Sequence, residues 1–318
     1  MVKIALAGGS GNVASEIIDA LVATGKHEIV ILTRKDVDSK KGPDGITWVK
    51  ANYEETNQLT QALQGVHTVL SFVTEQESQT SPIQRRLIDA AVQAGVKRFA
   101  PSEWASSKTA HLPWYAYKAD IRGYLAELNK DKKVLEYTLF QPGLFTNYLA
   151  KPYQTTKHIT LIQGTIDFEN CRAIILEGGE NGYITLTTVH DFATVVAKAV
   201  EYEGEWPVAS GIRGTRITIG DVIKLGERVR GGKPFNVEKV KAEDFESGNW
   251  KTSWIPWVDH PSIPKDQIEV FSRFGTAGMA MGFAKGSFDA SDEWNQLLPD
   301  YKFTQAQDFL EEVWKGKP

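Results

Sequence analysis

The chain has 318 residues, a formal net charge of -4, 42% hydrophobic and 24% charged residues, a balance ordinary for a soluble globular enzyme. That length excludes a small stapled scaffold, and the charge leaves no basic footprint, so no nucleic-acid partner is expected. Cys171 is the single cysteine, which excludes an intramolecular disulfide; with no room for a leader before the first strand and no run of about 18 apolar residues, a cytoplasmic protein with no membrane partner is expected.

Val2, Ile4, Ala5, Leu6 and Ala7 form an apolar run with little alternation, as in a parallel strand covered on both faces. Gly8, Gly9 and Gly11 follow at once, and Val13, Ile17, Ile18, Leu21 and Val22 then recur at near-helical spacing as far as Gly25, a helix stop. Strand, glycine turn and helix start in immediate succession read as a phosphate-binding corner. Glycines leave room for the tight turn and for backbone N–H groups to approach a pyrophosphate, which rests on the helix N-terminus. The spacing Gly8-x-x-Gly11-x-x-Ala14 predicts dinucleotide binding, with Gly8, Ser10, Gly11, Asn12 and Val13 at the pyrophosphate.

Residues 28 to 33 read as the second strand, ending at Thr33-Arg34-Lys35, where the adenosine ribose lies in such a unit. NAD sites place Asp or Glu there, whereas an arginine pairs bidentately with a 2′-phosphate. Thr33 and Arg34 therefore predict NADP(H), and Lys40 and Lys41 extend the same positive patch.

The βα rhythm continues with a third strand at 46 to 50, a short helix at 59 to 63, a fourth strand at 66 to 73 and a helix whose inner face is Ile83, Leu87, Ile88, Ala91 and Val92. A fifth strand at 96 to 100 runs into Pro101-Ser102-Glu103-Trp104. Ligands of open parallel sheets bind beyond the carboxyl ends of strands, which marks Ser71, Phe72, Ser102 and Trp104. Tyr117, Ile121, Tyr124, Leu125 and Leu128 predict a helix that carries Lys118 and Arg122 one turn apart, and a sixth strand is expected at 134 to 140.

Beyond this point strict alternation stops. The pattern predicts an α/β protein with a Rossmann-type doubly wound parallel sheet over residues 1 to 150, rejoined by about 183 to 212, and a smaller C-terminal substrate-binding lobe from 151 to 182 and 213 to 318. His190-Asp191 reads as a helix start with Asp191 as cap or dipole partner. The crowding of Trp250, Trp254, Pro256, Trp257, Pro261 and Pro264 suggests either a lid over residues 250 to 265 or a rigidly packed loop.

The glycine corner, Thr33-Arg34, the segment from Arg98 to Trp104, Lys118-x-x-x-Arg122, the segment from Pro142 to Tyr148 and the return from Thr185 to Ala193 together resemble the isoflavone reductase-like, NmrA-like family of atypical short-chain dehydrogenases. The resemblance implies an NADPH cofactor and, as in plant members, reduction of an aromatic secondary metabolite. It also implies that Lys118 is the central catalytic group, anchoring the cofactor ribose and delivering or relaying a proton. Short-chain dehydrogenases of the usual type carry a tyrosine four residues before that lysine, where this chain has Trp114. Tyr115 and Tyr117 are expected on other sides of the helix, so neither is an obvious replacement. Trp104-Ala105 also stands where plant relatives have Phe-Gly.

Trp104, Trp114, Phe145 and Tyr148 are expected to wall an aromatic substrate, with Asn147 orienting one of its oxygens. The six histidines show no metal-ligand spacing, the nucleophile-elbow pattern fails at Asn12, and no P-loop sequence occurs. The expected activity is an NADPH-dependent transfer of hydride to an activated C=C, C=N or benzylic carbon by a monomer or homodimer. The alternatives are a non-catalytic NmrA-like redox sensor that binds the dinucleotide, and an isomerase or cyclase on the same fold.

Overall fold

The structure is a computed structural model that describes residues 1–37, 45–75, 78, 80–258 and 263–317. Lys40, Lys41 and Pro261 lie outside the described residues. The chain divides into two compact units, one of Met1–Trp104, Trp114–Gln141 and Ala193–Ser210, the other of Ala105–Pro113, Pro142–Phe192 and Gly211–Pro318.

In the first unit the chain runs β1 (Lys3–Ala7), α1 (Asn12–Thr24), β2 (Glu28–Thr33), β3 (Ile46–Lys50), α2 (Thr56–Ala62), β4 (Thr68–Ser71), α3 (Pro82–Gln93), β5 (Arg98–Ala100), α4 (Ala116–Leu128), β6 (Glu136–Tyr137) and β7 (Leu139–Gln141). The first six strands make a parallel sheet in the order β3-β2-β1-β4-β5-β6, which is the expected doubly wound Rossmann-like arrangement. The chain builds outward from β1 in one direction and then in the other, so the point where the order reverses lies beside the end of β1. Register fixes what meets there: Ala7 is level with Leu32 on one side and Ser71 on the other, and Leu70 with Ala100. Carried one residue on, the register brings Gly8 level with Thr33 and Phe72, and Phe72 level with Ser102.

The sheet ends are held by burial rather than by propensity. Ala5, Ala7, Val30, Leu32 and Val69 share one core with Leu59, Leu87, Ile88, Ala91, Ile121 and Leu125. At about 1.5–3 kcal/mol for each large aliphatic side chain removed from water, this layer sets the level at which the strands stop. Gly25 ends α1 at φ 63°, donating to the Val22 carbonyl as the expected helix stop. The single sixth strand expected at 134 to 140 is instead two strands: between β6 and β7 the Thr138 hydroxyl donates to the Pro207 carbonyl at 2.6 Å. That contact lies far along the chain, where local pattern carries no signal of it.

The second unit carries β8 (Leu144–Phe145), β9 (Ile166–Asp167), β10 (Arg172–Leu176), β11 (Tyr183–Thr187), the start of α5 (Val189–Glu201), the end of β12 (Ala209–Gly211), β13 (Thr215–Thr218), α6 (Ile219–Val229), β14 (Asn236–Val240), α7 (Ala242–Ser247), α8 (Ile268–Ala284), α9 (Glu293–Leu297) and α10 (Ala306–Trp314). Two small sheets, β14-β10-β9 and β13-β11-β8, organise it. Ile174, Leu176, Val240, Phe245, Trp250, Ala280 and Met281 form a core, and Arg273 lies over the Trp250 ring while donating to its carbonyl at 2.8 Å. Trp250 is thus an anchored core residue. The Asp191 expectation needs correcting in part: Thr188 is the side chain that caps α5, accepting from the Asp191 N–H at 3.1 Å, while the Asp191 carboxylate receives the Tyr301 hydroxyl at 2.7 Å and the Thr304 N–H at 2.9 Å. Cys171 is buried, as expected of a small apolar side chain. Among the described residues, no helix is long and apolar enough to cross a membrane.

Candidate functional site

The glycine corner divides its labour among three glycines. Gly8 has φ +76°, and a Cβ there would stand 3.1 Å from the Phe72 carbonyl carbon. A Cβ on Gly9 would meet Ile31 Cγ2 at 2.8 Å, so Gly9 lets the turn lie against β2. At Gly11 a Cβ would approach only the Gly8 carbonyl, at 3.5 Å, and otherwise project into open space. Gly11 is an extended N-cap of α1 without a side-chain cap, so the helix opens with a first turn that no capping side chain covers. Ser10 is exposed, Asn12 and Val13 partly so. This is a cradle a pyrophosphate fits: a helix start without a side-chain cap at Gly11, at the positive end of the helix dipole.

Arg34 is exposed immediately beyond β2, and the Thr33 hydroxyl accepts from the Lys35 N–H at 3.2 Å. A residue not anticipated from sequence braces this edge. Tyr53 is buried; its phenol donates to the Leu32 carbonyl at 3.2 Å and accepts from the Gly8 N–H, and burial pushes it up to about 12. It joins the end of β2 to the glycine turn.

Ser71 and Ser102, expected at the cofactor beyond β4 and β5, are both buried and hydrogen-bonded to neighbours. The Ser71 hydroxyl donates to Gln84 Oε1 at 3.3 Å, the Ser102 N–H donates to the same oxygen at 3.0 Å, and the Ser102 hydroxyl bonds the Tyr117 phenol. Gln84, a polar residue set into the apolar face of α3, ties the two strand ends together. Trp104, expected at the substrate, is held by its neighbours: its indole N–H donates to the Ser71 carbonyl at 2.7 Å, and its ring stacks with Phe72 at 4.6 Å and with Phe140 at 5.5 Å. That packing holds Trp104 at φ 48°, a backbone region unusual for a bulky residue.

The strongest electrostatic feature of the first unit surrounds Lys118, which is only 4% exposed. Its ammonium donates to the Glu103 carbonyl oxygen and lies over the Tyr115 ring, 3.7 Å from the centroid, with the Tyr117 ring at 5.9 Å. Burial brings its pKa down to about 8; the Glu103 carboxylate opposes that shift and Arg122 adds to it. Arg122 grips Glu103 with both arms, Nε to Oε1 at 2.9 Å and Nη2 to Oε2 at 2.5 Å. Tyr115, expected on another side of the helix, stands under Lys118: it ends a 3-10 turn (Pro113–Tyr115) ahead of α4, three residues before the lysine, a spacing that puts the two on one face. Trp114, in place of the usual tyrosine, remains partly exposed and bonds the Tyr115 phenol.

In the second unit two of the expected substrate residues are engaged by neighbours. Asn147 is buried; its amide donates to Thr155 Oγ1 at 3.0 Å and its carbonyl receives the Val189 N–H at 2.9 Å, which satisfies a donor in the first turn of α5. Phe145 is buried against Phe192 at 5.3 Å and Tyr148 at 6.1 Å. Tyr148 alone of the three keeps part of its surface exposed.

Comparison with known proteins agrees with this architecture. The NmrA-like family model matches residues 2–256. Oxidoreductase BOA1 of Botryotinia fuckeliana (strain B05.10) is 30% identical over 314 residues, 97% of this chain and 100% of its own length. Among solved structures, the NADPH-dependent quinone oxidoreductase QOR2 of Escherichia coli complexed with NADPH is 20% identical with a TM-score of 0.66, covering 98% of this chain and 100% of that one. AtPrR2 with NADP+ and (+)pinoresinol is 18% identical with a TM-score of 0.67 over 98% of each chain. Likeness at these identities is likeness of fold; the family model, matching residues 2–256, spans most of the sequence, and the chain belongs to the NmrA-like family.

Proposed function

We propose that this protein is an NADPH-dependent reductase of an aromatic secondary metabolite, adding hydride to an activated C=C, C=N or benzylic carbon. The reading rests on one observation above the others: Lys118 is a buried amine brought down to about 8 and held against a backbone carbonyl and a tyrosine face. A lysine costs stability when buried in this way, and a group able to exchange its proton near neutral pH is what reduction requires. The oxidoreductase names of BOA1 and QOR2, and the NADP(H) in the QOR2 and AtPrR2 complexes, support the same assignment.

In this proposal Gly8, Ser10, Gly11, Asn12 and Val13 hold the pyrophosphate and Arg34 the 2′-phosphate. NADPH, when bound, supplies the hydride. Lys118 gives a proton to the substrate atom that takes up the displaced electron pair, is left as the neutral amine, and regains a proton from water. The first unit serves as the cofactor-binding domain and the second as the substrate lobe, in which Tyr148 offers an aromatic surface to the substrate.

The test is NADPH oxidation against a panel that includes pinoresinol and a quinone, with product followed separately. Product formed with matching NADPH loss, and lost in Lys118→Met, supports the proposal. Product formed without net NADPH consumption replaces it with an isomerase, and dinucleotide binding that prefers the oxidised forms, with no turnover, replaces it with a sensor.

A further inference from the structure

Glu103 is held twice, by two residues one turn apart on the same helix. Its carboxylate is 1% exposed and receives Arg122 through two hydrogen bonds at 2.9 and 2.5 Å, while its backbone carbonyl receives the Lys118 ammonium. The segment around it has little freedom: the Glu103 N–H turns back to the Pro101 carbonyl at 2.7 Å, and Trp104 is fixed by its indole bond and its stack. A carboxylate removed from water at this depth needs a cation, and two are within its neighbourhood. The geometry shows which one has it. Arg122 meets the carboxylate in the planar two-point arrangement that a lysine cannot reproduce, so the ammonium of Lys118 is left to the carbonyl.

We propose that Arg122 is a positioning residue for Lys118 and acts through Glu103: by occupying the Glu103 carboxylate it fixes the carbonyl that orients the ammonium, and it prevents that carboxylate from capturing the ammonium as an ion pair. The inference rests on Lys118 being the working group of the proposed reductase. The charged and titratable groups around Lys118 are Glu103 on the loop after β5, Arg122 on α4, and the phenols of Tyr115 and Tyr117; Glu75 lies one step further out, where its carboxylate receives the first N–H groups of α3. Of these, Glu103 and Arg122 act on the lysine with opposite sign.

The experiment follows the titration of Lys118 through its Cε resonance by NMR in the full chain without added cofactor, the signal being assigned by its loss in Lys118→Met. Arg122→Gln releases an uncompensated carboxylate beside the ammonium and is expected to raise the midpoint by about one pH unit. Glu103→Gln keeps an acceptor for Arg122 but removes the negative charge, and is expected to lower the midpoint. Arg122→Lys, which retains charge without the fork, is expected to fall between wild type and Arg122→Gln. Midpoints that move in the same direction in the two glutamine variants, or that stay where they are, overturn the proposal. Should Arg122→Gln fail to fold, the near-isosteric Glu103→Gln decides alone, since an unchanged or raised midpoint is incompatible with the inference. Because the readout needs neither substrate nor cofactor, it stands apart from whether Lys118→Met abolishes turnover.

Discussion

The Lys118 ammonium lies 3.7 Å from the centroid of the Tyr115 ring, a contact with the face of the ring and not with its hydroxyl. A charge over an aromatic face is favoured by the ring quadrupole by about 0.5–2 kcal/mol, which offsets part of the cost of burial. The phenol itself, pushed up to about 12 by burial, stays protonated through the neutral range and is a weak acid. Tyr115 therefore serves Lys118 as a surface. Tyr115→Phe is expected to keep turnover within about tenfold of wild type, and Tyr115→Leu to lower the Lys118 midpoint. Loss of a general acid costs roughly a hundredfold or more, so a drop of that size in the phenylalanine variant would make the phenol the donor that Trp114 is not.

The second prediction concerns pH. Burial lowers the pKa of Lys118 from 10.5 to about 8, so between those values the unfolded chain binds a proton that the folded chain has released. Stability accordingly rises with pH through that window, and below it the cost of the buried ammonium is present in full, on the order of 3 kcal/mol. Lys118→Met is expected to be more stable than wild type near neutral pH, with an advantage that shrinks toward alkaline pH. Denaturant melts at both ends of the window measure it; an advantage independent of pH would mean that the buried charge is not its source. In activity the sign is reversed for the wild type: reduction slows as pH rises through about 8, because the proton-donating form is lost.

Which parts of this were legible in the sequence follows from the range of the interactions concerned. The corner from β1 to α1 is local, and glycine spacing with an apolar run specifies it completely. Lys118 was reached through the motif around it, and its helix through the stripe of Tyr117, Ile121 and Leu125. What escaped was settled by contacts between distant segments. Ser71 and Ser102 stand at the strand ends as expected, yet Gln84 claims them, and its own position inside an apolar helix face was the available signal. Tyr115 precedes Lys118 by three residues, a spacing that puts two side chains on one face of either kind of helix, so that contact was open to local reasoning. The partners of Trp104, Phe145 and Asn147 lie far along the chain, and no local pattern announces the packing and capping contacts that these aromatic and amide side chains make.

Cofactor preference depends on Arg34. It stands exposed just beyond β2, where an acidic residue would otherwise receive the ribose hydroxyls. A charge-assisted pair with a phosphate contributes roughly 1.5–3 kcal/mol, so Arg34→Ala is expected to weaken NADPH binding by about ten- to a hundredfold while leaving NADH almost unchanged. Calorimetric titration with both cofactors measures this. Equal loss for the two would show that Arg34 does not read the 2′-phosphate.

The glycine corner offers a test that separates folding from binding. Gly8 at φ +76° sits against the Phe72 backbone, so Gly8→Ala combines an unfavourable dihedral with a contact at 3.1 Å that cannot relax without moving the end of β4. It is expected to lower Tm and to abolish NADPH binding together. Gly11 has an ordinary negative φ of -79° and a direction for Cβ that meets only the Gly8 carbonyl at 3.5 Å, so Gly11→Ala is expected to change stability by no more than about 0.5 kcal/mol. The added methyl would nevertheless stand over the uncapped helix start, where a pyrophosphate must come close to the N–H groups, and NADPH affinity is expected to fall at least about tenfold. Thermal melts and calorimetry on the two variants check this pair of outcomes. An unchanged affinity in Gly11→Ala would move the pyrophosphate away from the start of α1, and a large loss of stability there would mean that Gly11 serves the turn and not the ligand.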